Sequence, residues 1–231
     1  MQLHSYFFTT QDKFIVPQRF FMHLPIAVGR NCGYLRIRTS DKDEMMSAIQ
    51  TKPQIKARLP LLEDILSHWQ HQIGPDFDGY RNHCYRMIHA CLALRDCTGD
   101  EQQKIIIAAA YHDLGIWTEQ TVDYLPPSIA LAQHYLAQRG LSTWCEEISL
   151  MIDLHHSLKA VHHPRFPLVE VFRQADLVDV SLGWVRFGIA KAYIKQVQQQ
   201  FPDAGFHRRL LMLAGDWFSK HPLRAPPFLK W

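Results

Sequence analysis

The chain has 231 residues, 47% apolar and 20% charged, which is enough apolar material to bury a substantial core and too little charge for a disordered chain. Its formal charge is only +3 and its basic residues are dispersed along the chain, which argues against a nucleic-acid partner. Five cysteines form no CxxC pair and no apolar run approaches the roughly 20 residues of a membrane span, so a soluble protein in a reducing, cytoplasmic setting is expected, with neither a disulfide scaffold nor a membrane partner.

Residues 1–55 differ in texture from the rest. Ser5-Tyr6-Phe7-Phe8-Thr9-Thr10, Lys13-Phe14-Ile15-Val16 and Tyr34-Leu35-Arg36-Ile37-Arg38 are aromatic or β-branched and short, which favours extended structure. They predict a partly extended N-terminal arm that packs on the main domain or at a subunit contact, with a separate binding module as the alternative. From 56 to 231 apolar residues recur at three-to-four spacing, and the expected fold class is all-α. The pattern predicts helices near 58–72, 79–96, 101–113, 127–139, 142–158, 167–180, 183–199 and 206–219. Gly115 is a candidate left-handed stop for the third of these, and Ser128, after Pro126-Pro127, a candidate cap for the fourth. The aromatic N-terminus and Pro226-Pro227-Phe228-Leu229-Lys230-Trp231 either mark contacts of a homo-oligomer or cover the core.

The chemistry-bearing residues sit at intervals along this helical stretch. His112-Asp113 closes the apolar run Ile105-Ile106-Ile107-Ala108-Ala109-Ala110-Tyr111, with His83 upstream in an amphipathic segment. Downstream come His155-His156 and then Asp176, flanked by Val171, Phe172, Ala175, Leu177 and Val180. In a chain with 14 histidines one His-Asp pair proves little, but imidazole nitrogens and carboxylate oxygens together hold a divalent ion while leaving positions for water. An aspartate in such apolar surroundings is costly to bury unpaired, and coordination removes that cost.

In order and local sequence, His83, His112-Asp113, His155-His156 and Asp176 resemble the HD-domain superfamily of metal-dependent phosphohydrolases, over about residues 78–183. The segments Ala108-Ala109-Ala110-Tyr111-His112-Asp113-Leu114-Gly115 and Ala175-Asp176-Leu177-Val178-Asp179 carry the resemblance. It implies an HD-domain-like helical bundle with His83, His112, Asp113 and Asp176 as metal ligands and Asp113, His155 and His156 as catalytic residues. The divalent ion is left open among manganese, iron, cobalt, nickel, zinc and magnesium. Two-metal members extend the site with a histidine between the two pairs, where this chain offers Ser128 and, two turns later, His134; one tightly held ion is therefore expected. Ile116-Trp117 stand where the cyclic-dinucleotide phosphodiesterases carry a Gly-Tyr-Pro signature, which argues against that substrate. For the acid-base glutamate of some nucleotidases the nearest carboxylates are Glu119 and Asp123.

Arg86 lies three residues after His83, Lys159 four after His155 and Arg173 three before Asp176, offsets that share a helix face. They are candidate donors to a substrate phosphate, with solvated charge or an ion pair as the alternative. The segment from Trp117 to Tyr124 is either a loop over the site or a connection with Trp117 packed inward. His71, His89, His134, His207 and the pair His162-His163 read as surface or helix-face histidines. The expected activity is hydrolysis of a nucleotide or other small phosphate ester through a metal-activated water. The alternatives are hydration of a small nitrile-like compound by a metal-dependent lyase, and a non-catalytic metal- and nucleotide-binding regulatory protein.

Overall fold

In the computed structural model, which describes residues 53–230, the regular structure of the described residues is helical. The elements are α1 (Pro60–Ser67), α2 (Gln70–Ile73), α3 (Phe77–Leu94), α4 (Gly99–Tyr111), α5 (Gly115–Thr118), α6 (Leu125–Gln138), α7 (Cys145–Leu154), α8 (Leu168–Val180), α9 (Lys191–Gln200) and α10 (Phe206–Lys220). The all-α expectation holds. The N-terminal arm falls outside the described residues except for its last three positions. No helix of the described residues is long and apolar enough to cross a membrane, and Cys84, Cys91, Cys97 and Cys145 are free thiols.

The centre of the bundle is α4. Every residue from Ile105 to Tyr111 is buried, the signature of a helix surrounded on all sides, and α1, α3, α6, α7 and α8 all pack against it. Its start is set by a reciprocal capping box: the Glu101 N–H donates to Thr98 Oγ1 at 3.3 Å, and the Thr98 N–H donates to Glu101 Oε2 at 2.8 Å. On the far side of α3 lies α8, so that α3 is enclosed from Tyr80 to Cys91 apart from the edge at Arg81.

Several boundaries differ from the periodicity. The stretch 58–72 is broken at His68-Trp69, where Trp69 meets the ring of Tyr111 edge-on at 6.4 Å. The stretch 183–199 begins only at Lys191, because Leu182, Gly183, Phe187 and Gly188 all have positive φ, which a right-handed helix cannot contain. The segment 142–158 opens with a 3₁₀ turn at Ser142–Trp144 and ends as a helix at Leu154.

The two local assignments around the His-Asp pair need correction. Gly115 does not end a helix in the left-handed region: it opens α5 with negative φ. It is required by proximity, since a Cβ there would sit 2.4 Å from the Tyr124 carbonyl oxygen and 2.9 Å from Pro127 Cγ. Ser128 is not a cap either. Leu125, Pro126 and Pro127 begin α6, placing Ser128 inside its first turn, where Oγ accepts the Gly115 N–H at 2.9 Å. These contacts lock the turn carrying His112 and Asp113 against the start of α6. Gly115→Ala forces that backbone apart and should cost about 1–3 kcal/mol of stability, read as a lower urea midpoint; an unchanged midpoint contradicts the close approach.

Candidate metal centre

Four helices deliver the chemistry to one point. His83 comes from the middle of α3, His112 caps the C-terminus of α4 with Asp113 just beyond it, His155 caps the C-terminus of α7 with His156 next, and Asp176 lies in α8. Their side chains are almost wholly enclosed, with His83, His112 and His155 fully inaccessible and His156, at 15% side-chain exposure, the most open. Two groups form, each with ligand atoms within 4.8 Å of one another: His83, His112 and Asp113, and Asp113, His155 and His156. Asp113 belongs to both. Asp176 joins them, with Oδ1 3.7 Å from His83 Nε2 and Oδ2 3.3 Å from His156 Nδ1.

Hydrogen bonding decides which nitrogens are available. His112 Nδ1 lies 2.8 Å from the Ala109 carbonyl and His155 Nδ1 2.7 Å from the Ile152 carbonyl; a carbonyl only accepts, so both Nδ1 atoms carry the proton. His83 Nδ1 donates to Asp179 Oδ2 at 2.7 Å. Each ring therefore turns the lone pair of Nε2 into the cluster. His83 Nε2 and His112 Nε2 are 3.0 Å apart. His155 Nε2 is 3.4 Å from Asp113 Oδ1, and neither atom has a hydrogen-bond partner. These are contacts between acceptors. A cation or a proton must stand between them.

The electrostatics point the same way. Burial pushes the Asp113 carboxyl up, but His112 and His155 more than offset it and hold Asp113 well below the usual range. Asp176 is lowered against the same burial by His156, His155 and His83, and Asp179 by His83 and Arg86. Three carboxylates face one guanidinium, that of Arg86 on Asp179, so Asp113 and Asp176 have only histidines to offset their charge. The C-termini of α4 and α7, the negative ends of their dipoles, also point at the cluster. His112 takes up part of the imbalance: burial lowers its affinity for a proton, but Asp113 raises it further, so its pKa is net raised. His83 and His155 are lowered by burial, His155 to about 4 with His156 adding to the shift. A proton on His112 can satisfy the first acceptor pair but leaves the second unmet.

The predicted ligands His83, His112, Asp113 and Asp176 thus converge with His155 and His156. Two overlapping groups stand where one ion was expected, because the His155-His156 turn supplies the second set without a histidine in the Ser128 region. Among the proposed phosphate donors, Arg86 shares the His83 face but commits its donors elsewhere: Nε to Asp179 Oδ1 at 2.5 Å, Nη2 to Asp179 Oδ2 at 2.9 Å and Nη1 to the Phe201 carbonyl at 3.1 Å. Arg173 is forked onto Glu170 and reaches the Ser157 carbonyl at 3.2 Å. Both arginines hold the scaffold of the site. Lys159 is exposed. Trp117 is packed inward with its Nε1–H donating to Asp76 at 3.0 Å, and Glu119 and Asp123 are exposed on the loop that follows. His89, read as a helix-face residue, is fully buried, with Nε2 3.2 Å from the Lys56 carbonyl.

Sequence reading missed three contributors. Asp179 orients His83 from behind, as a carboxylate commonly does for a ligating histidine; its spacing of three from Asp176 on α8 was the available signal. Phe206 stacks on His83 at 4.0 Å. Tyr124, almost fully buried, has its hydroxyl 2.7 Å from His156 Nε2, and its phenol is pushed well up by burial and by Asp113 and Asp176.

Fold and site together define, over the described residues, a helical bundle with a buried histidine and aspartate cluster whose donor set can hold a metal ion. Comparison with family models, curated proteins and solved structures returns no match.

Because His155 is depressed to about 4 from 6.5, the unfolded chain binds a proton between these values that the fold refuses. The stabilisation is therefore complete above pH 6.5 and is lost as pH falls toward 4. His112, shifted upward, has the opposite sign: its contribution is present at low pH and fades as pH rises through its folded value. For chelator-treated protein the urea midpoint should fall between pH 6.5 and pH 4, and His155→Gln should remove part of that slope. An identical acid limb in the variant contradicts the assignment.

Proposed function

We propose that this protein is a metal-dependent phosphohydrolase acting on a nucleotide or another small phosphate ester. One observation carries the reading: acceptor atoms of His83, His112, Asp113 and His155 face one another in a buried cluster whose Asp113 and Asp176 have only histidines beside them. His83, His112, Asp113 and Asp176 would hold one ion, and Asp113, His155 and His156 a second. The order of these residues resembles the HD-domain superfamily, which supplies the reaction class. When bound, the ions supply Lewis acidity toward a phosphoryl oxygen and lower the pKa of water.

The chain's own residues do the rest. Asp113, with one oxygen toward each group, fixes the separation of the two sets and offers Oδ1 to a proton of the attacking water. His155, neutral near pH 7, keeps its Nε2 lone pair available. With Nδ1 left as the ligand atom, His156 carries its proton on Nε2, 2.7 Å from the Tyr124 hydroxyl oxygen, which accepts it and holds that ring across the mouth. Since Arg86 and Arg173 are committed to carboxylates, the charge of a phosphoryl group is met at the ligand cluster. Water attack on phosphorus breaks the ester bond and releases phosphate and the parent alcohol.

The same commitment of the arginines, with the enclosure of the cluster, favours a second reading, hydration of a small neutral nitrile-like compound. Product chemistry separates them. Elemental mass spectrometry on the purified chain should find one to two transition ions per chain, lost in His112→Ala. Asp113→Ala should lower phosphate release from a panel of nucleotides and sugar phosphates by at least about 100-fold with an unchanged circular dichroism spectrum. Phosphate release unaffected by either variant contradicts the proposal, and turnover confined to nitriles replaces it with the second reading.

A further inference from the structure

Among the described residues the metal centre is closed off from solvent. The residues of the cluster are enclosed by α3, α4, α7 and α8, and its most accessible member is His156, at 15% side-chain exposure. Over that one opening lies a piece of chain that is not part of the bundle. After α10 the segment 221–230 runs back to the His155-His156 turn, where the Leu158 N–H donates to the Lys230 carbonyl at 2.9 Å and Ser157 and Lys230 form an isolated parallel bridge. This docking puts the Phe228 ring 5.1 Å from His156 and 5.5 Å from Tyr124, centroid to centroid.

The attachments of the segment are few and exposed. Lys230 Nζ pairs with Asp153 Oδ1 at 3.0 Å, with both side chains 38% exposed. The Trp217 indole N–H donates to the Arg224 carbonyl at 2.7 Å, and a turn closes from the Leu229 N–H to the Pro226 carbonyl at 3.1 Å. Of its residues only Pro226 is buried, and Leu223 is wholly exposed. Segments held by so little buried surface open at low free-energy cost. Beside Phe228 a solvent-open groove is lined by Gln120, Asp123, Trp217, Lys220, His221 and Pro227, which leaves space for displacement. Gln120, in that lining, has a φ of 50°.

We propose that residues 222–230 form a displaceable strap that gates the metal centre, with Phe228 as the plug over His156 and Tyr124 and the Lys230–Asp153 pair as the latch. The strap closes the cluster to water between turnovers and must lift for substrate or metal to reach it. This rests on the metal-centre reading above, but the strap can be tested without metal or turnover.

Diethyl pyrocarbonate modifies accessible imidazoles, and peptide mass spectrometry reads the rate at His156 separately from the exposed His162. The comparison uses the unaltered chain, Phe228→Ala and Lys230→Glu, the last changing only the exposed latch pair with Asp153. Lys230→Glu should raise the His156 rate about three-fold, the effect of losing a half-exposed ion pair. Phe228→Ala should raise it further, and His162 should be unchanged in both. A rate that ignores both variants, or responds to Phe228→Ala alone, overturns the gate and makes Phe228 fixed packing, while leaving the metal assignment intact. A rate that responds to both in a chain that takes up no metal keeps the strap and removes the phosphohydrolase reading.

Discussion

Two imidazole nitrogens with their lone pairs directed at each other, His83 Nε2 and His112 Nε2 at 3.0 Å, set the constraint on which the rest of this structure depends. Neither ring can turn away. Asp179 holds the far side of His83, the Ala109 carbonyl holds the far side of His112, and Phe206 stacks on the His83 ring. A buried acceptor left without a donor costs about 1–3 kcal/mol, and two of the three nearby carboxylates have no arginine or lysine partner. The bundle maintains this arrangement by packing α3 between α4 and α8, where Arg86 and His83 both bond to Asp179 and so tie α3 to α8.

The helix ends explain why histidines and aspartates of different helices meet. A helix terminus leaves its last carbonyls without intrahelical donors, and at the ends of α4 and α7 His112 and His155 each turn Nδ1 back onto a carbonyl three residues earlier. One interaction therefore satisfies the backbone, selects the tautomer and aims Nε2 inward. The approach of Gly115 to the Tyr124 carbonyl then fixes the turn carrying Asp113 relative to the aromatic side chain at the mouth. Local capping and site chemistry are the same set of bonds.

Much of this was legible in the sequence. Periodicity located the long helices, and the adjacent pairs His112-Asp113 and His155-His156 marked the cluster because polar residues at the ends of apolar runs are conspicuous. What remained hidden was long-range. The offsets of Arg86 and Arg173 placed them correctly on ligand-bearing faces, but an offset cannot show that Asp179 and Glu170 would take their donors. Gly115 looked like a helix stop because a glycine after a helix usually relaxes φ, whereas here it relieves contact with a chain segment nine residues on. Tyr124 and Phe228 carry no local signal for their positions, since both reach His156 through the path of the connections and not through helical phase.

The central claim, that the facing acceptors are held together by bound cations, is tested most directly by anomalous diffraction from crystals of the full chain grown with manganese. The account predicts anomalous peaks within coordination distance of His83, His112, Asp113 and Asp176 and of Asp113, His155 and His156. A cluster without anomalous density, in which His83 Nε2 and His112 Nε2 share only a proton, would contradict it.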